Sequence, residues 1–250
     1  MGNKLSSRNA MITGATSGIG QAIATAMAAE GAHVVVSGRS RDRGERTVAE
    51  IESTGGSAIF VAADLSEGTA AVRHLAQEAI GAVGQIDILV NNAAYLVGGK
   101  PTVDTESDMI DEAFAVSVRA PFLLTAAVVP AMVERGQGVV VNIGSINGIV
   151  GMNGSALYGS TKAALHSLTK SWAAEFGPSG VRVNTVAPGP TLTERNEAIA
   201  DRLAGFVANI PSRRMSTTSE VAAAAVFLAS DDAANIHGAT LSVDGGFAVV

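Results

Sequence analysis

The chain has 250 residues with 17 basic and 23 acidic side chains, a net charge of −6, and no basic run of the kind a nucleic-acid footprint needs. It contains no cysteine, which excludes disulfides, cysteine-ligated metals and thiolate catalysis. No stretch approaches the ~18 uninterrupted apolar residues of a membrane helix, since the longest candidates, 121–133 and 221–229, are short and Pro130 breaks the first. No basic-then-apolar leader opens the chain, so the expectation is a cytoplasmic protein that binds neither membrane nor nucleic acid.

Apolar runs and amphipathic stretches alternate from end to end. Strands are predicted at residues 9–13, 33–37, 58–63, 88–90, 138–143, 182–186 and 240–243. Most are continuous Val, Ile and Ala runs, as in strands covered on both faces. Helices are predicted at 20–30, 42–53, 70–83, 114–135, 157–176 and 219–230. Strand and helix in alternation imply right-handed parallel crossovers, and hence a Rossmann-like, doubly wound α/β sheet of about seven strands with helices on both faces. Without repeat, low-complexity tract or linker, residues 1–250 read as one domain. Residues 188–219 break the rhythm as a polar, weakly helical insertion, and 190–215 is expected to cover a substrate.

The first strand runs into Thr13-Gly14-Ala15-Thr16-Ser17-Gly18-Ile19-Gly20 at the start of a helix. Gly14 allows the sharp turn, Gly18 lets backbone approach a pyrophosphate, and Gly20 permits close helix–strand packing. At the end of the second strand, where an acid would select NAD, stand Ser37-Gly38-Arg39-Ser40, with no acid before Asp42. A small residue leaves room for a 2′-phosphate and Arg39 can pair with it, which predicts a preference for NADP(H) over NAD(H).

Further along, Ser145 follows a strand, and Tyr158-Gly159-Ser160-Thr161-Lys162 puts Tyr158 and Lys162 on one helix face. With two tyrosines and four lysines in the chain, chance yields that spacing roughly 3% of the time. A lysine ammonium beside a phenol favours the phenolate and brings it toward working pH. Ser145 lacks the G-x-S-x-G frame of a hydrolase nucleophile. The histidines 33, 74, 166 and 237 form no metal-ligand pattern and read as structural or surface groups. Asp108, Asp111 and Glu112 read as a solvated helix face.

These motifs, together with Asp64, Asn91-Asn92-Ala93-Ala94, Pro188-Gly189 and Val243-Asp244-Gly245-Gly246, resemble the short-chain dehydrogenase/reductase family from the first strand to the C-terminus. The resemblance extends to 3-oxoacyl-[acyl-carrier-protein] reductase-like members. It implies hydride transfer between a nicotinamide and a carbonyl or secondary alcohol, with Tyr158 as general acid/base, Ser145 positioning the substrate oxygen, and Lys162 holding the nicotinamide ribose. It also implies cofactor contacts from Gly14, Thr16, Ser17, Gly18, Ile19, Gly20, Arg39, Asp64, Leu65, Asn91, Ala93, Tyr158, Lys162, Pro188, Gly189, Thr191 and Thr193.

Two positions depart from the family pattern. Ala94 replaces a glycine, and Ser117 stands where the family carries a catalytic asparagine that holds a water feeding protons to the lysine. That second change opens an alternative, a nucleotide-binding protein with weak or no catalysis. Met152, Leu192, Phe206 and Ile210 suggest a partly apolar substrate. Pro130 and Ala174 stand where carrier-protein reductases carry basic residues, which lowers the carrier-bound substrate relative to a small ketone or alcohol. Small apolar residues on 114–135 and 157–176, and the family's habit, imply a homotetramer.

Overall fold

The computed structural model describes residues 3–97, 99–194, 205 and 207–249. Strands β1 (Asn9–Thr13), β2 (His33–Gly38), β3 (Ser57–Ala62), β4 (Ile88–Asn91), β5 (Gly138–Ile143), β6 (Val181–Pro188) and β9 (Thr240–Val243) form a seven-stranded sheet. Its order is β3-β2-β1-β4-β5-β6-β9, and every pairing is parallel. The helices are α1 (Gly18–Ala29), α2 (Arg41–Ser53), α3 (Thr69–Val83), α4 (Ser107–Phe114), α5 (Ala120–Arg135), α6 (Ala156–Phe176) and α7 (Thr218–Ala229). The sheet is Rossmann-like, as the alternation of patterns predicts.

Successive strand residues point to opposite faces, so a Val/Ile run supplies two cores at once. Ile12, Val34, Val90, Val141 and Val186 face α1 and α7. Met11, Val35, Leu89, Val140 and Val183 face α3, α5 and α6. All six residues of β5 and all eight of β6 are buried. One row nearer the carboxyl edge, the second face turns polar. Asn91, Asn142 and Thr185 stand in register across three strands. Asn91 Nδ2 donates to Asn142 Oδ1 (2.9 Å), Asn142 Nδ2 donates to Thr169 Oγ1 of α6 (2.8 Å), and the Thr169 and Thr185 hydroxyls share a 2.7 Å bond.

The helix predicted at 114–135 begins earlier. α4 continues through a π-helical turn, Ala115–Arg119, into α5, giving one 29-residue helix, Ser107–Arg135. No side chain caps its start, so the sequence carries no signal there. Pro130 does not break it: the residue sits inside α5 on the solvent side, where water can take the carbonyl that its missing N–H leaves unpaired. This helix is long and apolar enough to cross a membrane, its most apolar 18-residue window having a mean hydropathy of 1.7. Yet Leu124, Val128, Val129 and Met132 pack into the core with Leu89 and Val140, so one apolar side of it is taken by the sheet.

Beyond β6, the short strands β7 (Thr191–Leu192) and β8 (Ser216–Thr217) pair in parallel and bring the two ends of the insertion together. Thr217 then starts α7 with a reciprocal capping box to Glu220. At the other end of α7, the buried Arg182 of β6 donates to the carbonyls of Leu228 and Ser230 at 2.7 and 2.9 Å.

Candidate active site

The carboxyl ends of β1, β4, β5 and β6 gather nearly every residue singled out by sequence. At β1, Gly14 and Gly18 adopt φ of +63° and +56°, a region costly for side-chain-bearing residues. A Cβ on Gly20 would lie 2.3 Å from Gly14 O and 2.4 Å from Asn92 Nδ2. Asn92 explains the closeness: its Nδ2 donates to the carbonyls of Thr13 and Gly14, while Thr13 Oγ1 accepts the N–H groups of Asn92 and Ala93. The loop after β4 is thus stitched to the glycine turn. Ser17 is the exposed N-cap of α1 and uses no side-chain cap, so the first N–H groups of that helix face the cleft. A glycine cradle opening on a helix N-terminus fits a dinucleotide pyrophosphate. Thr193 reaches this turn from the insertion, since a Cβ on Gly18 would lie 3.6 Å from Thr193 Cγ2.

At the end of β2, the Arg39 side chain is 71% exposed, with Asp64 3.9 Å away. Burial pushes the Asp64 carboxyl up, but hydrogen bonds from the Ser66 hydroxyl and N–H, and the Arg39 charge, hold it below the usual range. Three expected contacts take another form. Leu65 is buried against α3, and the Asn91 side chain belongs to the polar row, so only their backbones can face the cleft. The Thr191 hydroxyl donates to Gly189 O at 3.0 Å and is turned into its own loop.

Ser145 leaves β5 in extended conformation and starts a tight turn, Ile146–Gly148, that lies against α6. A Cβ on Gly148 would lie 2.8 Å from Ala163 N, and one on Gly159 would lie 2.7 Å from Asn147 O. These two glycines bring Ser145 down onto the Tyr158–Lys162 turn. Ser145 Oγ accepts the N–H of Asn147 at 3.2 Å, which leaves its own proton to donate. Lys162 is buried, its Nζ donating to Ile143 O at 2.7 Å and lying 5.7 Å from the Tyr158 ring centre. Burial pulls its pKa from 10.5 down to about 8.

Ser117 lies in the π-helical turn, is 1% exposed, and accepts the Tyr95 N–H at 3.1 Å. Its hydroxyl therefore anchors the loop that follows β4. Pro188 ends β6, and Gly189 gives way to Asp244, whose carboxylate caps the N–H groups of Gly246 and Ala248. Met152 is half-buried and Leu192 is 40% exposed, whereas Ile210 is fully buried and serves as an anchor of the insertion. Phe206 lies outside the described residues. Two cavities of about 280 and 240 Å³ open at the opposite, amino-terminal edge, beside Arg8 and away from this chemistry.

Sequence reasoning read His166, like the other three histidines, as a structural or surface group and assigned it no role at the site. It is buried, and its Nε2 faces the backbone N–H of Ser145 at 3.4 Å. The available signal was its position four residues after Lys162, on the same helix face.

A parallel sheet of this order, with a glycine turn before its first helix and this serine, tyrosine and lysine at its carboxyl edge, defines an NAD(P)-dependent oxidoreductase. A family model described as enoyl-(acyl carrier protein) reductase matches residues 14–248. Cyclopentanol dehydrogenase of Comamonas testosteroni is 37% identical over 243 residues, 95% of each chain. The 3-oxoacyl-[acyl-carrier-protein] reductase of Escherichia coli is 34% identical over 242 residues, 96% of this chain and 97% of its own. A solved structure from Beutenbergia cavernae, assigned as an NAD(P)-dependent gluconate 5-dehydrogenase and holding NADP at low occupancy, superposes with a TM-score of 0.93. It shares 37% identity over 98% of each chain. The chain belongs to the short-chain dehydrogenase/reductase family.

Proposed function

We propose that this protein interconverts a small ketone and the corresponding secondary alcohol with NADP(H), Tyr158 acting as general acid in reduction and base in oxidation. The observation that carries the reading is the buried Lys162 beside Tyr158, hydrogen-bonded to the last carbonyl of β5, that of Ile143. When bound, the cofactor supplies or accepts the hydride. The chain's own residues manage the proton and the oxygen. The Ser145 hydroxyl donates to the substrate oxygen, where negative charge develops. Lys162, whose pKa of about 8 leaves it mostly protonated at neutrality, favours the phenolate of Tyr158 and so eases proton transfer. Gly14, Thr16, Ser17, Gly18, Ile19 and Gly20 would hold the pyrophosphate, and Pro188, Gly189 and Thr193 the nicotinamide end.

Preference for NADP(H) rests on Arg39. Its ion pair with Asp64 is long and exposed, hence weak, and leaves the guanidinium available for a 2′-phosphate. The activities for which relatives are named, cyclopentanol and D-threitol dehydrogenation beside reduction of a carrier-bound 3-oxoacyl group, span small and carrier-bound substrates. Pro130 and Ala174 are exposed and uncharged, which favours the small ones. Exposed Phe122, Ala126, Ala127 and Ala131 on α5, with Ala163 and Ala174 on α6, support a homotetramer assembled through these helices. On the same reading, the chain is one domain and its 190–215 segment, of which residues 195–204 and 206 lie outside the described residues, covers the substrate.

A panel of cyclic and linear ketones and alcohols, followed by nicotinamide absorbance, tests the proposal. Tyr158→Phe should lower kcat by about 10²–10⁴-fold on any substrate found, with NADPH binding by fluorescence titration unchanged. Ser117, whose oxygen accepts the Tyr95 N–H and which has no side-chain amide to offer, favours a second reading as a nucleotide-binding protein without turnover. NADPH binding with no turnover across the panel would select it.

A further inference from the structure

His166 sits in a slot made by two glycines. A Cβ on Gly144 would lie 2.1 Å from its Nε2, and one on Gly148 would lie 3.1 Å from its Cε1. These glycines flank Ser145, and both keep the imidazole close to the turn that carries it. The ring is 7% exposed, and its Nε2 stands 3.4 Å from the Ser145 N–H. A ring nitrogen that accepts an N–H carries no proton, so the other nitrogen, Nδ1, must hold it. The neighbouring Gly144 N–H already donates to Val186 O at 2.8 Å. Without His166, the Ser145 N–H would be a buried donor short of a partner at the point where the strand turns.

We propose that His166 is a positioning residue for the reaction: a neutral imidazole that holds Ser145 by its backbone amide and so aims the serine hydroxyl. The inference rests on the reading of Ser145 as the donor to the substrate oxygen. Local electrostatics support it, because burial first, then the Lys162 and Lys170 charges, hold the imidazole at about 4 and keep it uncharged. Lys162, His166 and Thr169 follow one another along one helix face. That face therefore sets the charge near the phenol, the serine turn and the polar row of the sheet in turn.

Two measurements test this. Imidazole ¹⁵N chemical shifts of the wild-type protein near neutral pH report the tautomer. An unprotonated Nε2 is expected, and a proton on Nε2 would overturn the proposal. In kinetics, His166→Leu fills the slot without an acceptor and should lower kcat about tenfold, with KM for ketone and NADPH within about threefold. His166→Gln, whose amide oxygen can stand near the Nε2 position, should recover most of kcat. Wild-type kcat in the leucine variant, or equal losses in both, would refute the role even where melting temperatures fall alike. Tyr158→Phe on the same substrate separates the premises. If it turns over normally, the chemistry assigned to this site is wrong, and the tautomer decides whether His166 holds Ser145.

Discussion

Around β1 and β2 the carboxyl edge of the sheet is lined with backbone: glycines in left-handed conformations, bare N–H groups of α1, and an arginine lying largely in water. Around β5 and α6 the same edge is lined with buried side chains, among them a lysine without a carboxylate partner among the described residues, a neutral histidine and the 7% exposed Ser145. The first region recognises charge through atoms whose polarity needs no titration. The second holds ionisable groups where water would otherwise solvate them, and it is strained by that. A binding surface of the first kind costs the fold little, whereas one of the second kind lowers its stability.

The sharpest way to break this contrast is Lys162→Met. Turnover should fall by about 10²–10⁴-fold, yet the folded state should gain. Its folded pKa of about 8 lies below the ordinary 10.5, which corresponds to about 3 kcal/mol of destabilisation at neutral pH, offset in part by the bond to Ile143 O. A net gain of about 2 kcal/mol should raise Tm by about 5 °C in calorimetry. The sign is checkable. Between pH 8 and 10.5 the unfolded wild-type chain binds more proton than the folded one, so stability should climb with pH through that window. The methionine variant should lack the climb, and a wild type flat there would refute the account.

On the backbone-built side, Arg39→Asp should raise KM for NADPH by about ten- to a hundredfold and leave Tm within about 1 °C. Initial rates with NADPH and NADH measure it, and equal effects on both would end the assignment of Arg39 to the 2′-phosphate. The smallest effect should come from Ser117→Asn, which restores an amide at a buried site. We expect turnover to rise about two- to fivefold, whereas an unchanged or slower enzyme would mean that anchoring Tyr95 is all the position requires.

The backbone-built region was the more legible one, for a physical reason. Glycines, helix starts and strand ends are local features, and the turn at Gly14, Gly18 and Gly20 follows from its own spacing. The tyrosine–lysine pair was legible too, because i and i+4 share a helix face. His166 was not, since its meaning depends on two glycines that are close only after β5 packs on α6. The π turn at Ala115–Arg119 was equally hidden. It shifts the helix face by one residue without any cap or glycine to mark it. Asn91 was read for its motif, yet its side chain answers to Asn142 on the neighbouring strand.

That pairing bears on how the sheet aligns itself while folding. Strands made of Val, Ile and Ala on both faces offer little to distinguish one alignment from the next, because a one-residue slip exchanges apolar for apolar. Asn91, Asn142 and Thr185 supply what those runs lack. Slip β5 by one residue, and Asn142 enters the apolar layer beneath α1 and α7 while both of its side-chain partners lose their bonds. A handful of amide and hydroxyl groups at the top of the sheet thus acts as a vernier, indexing three strands against one another before any ligand arrives.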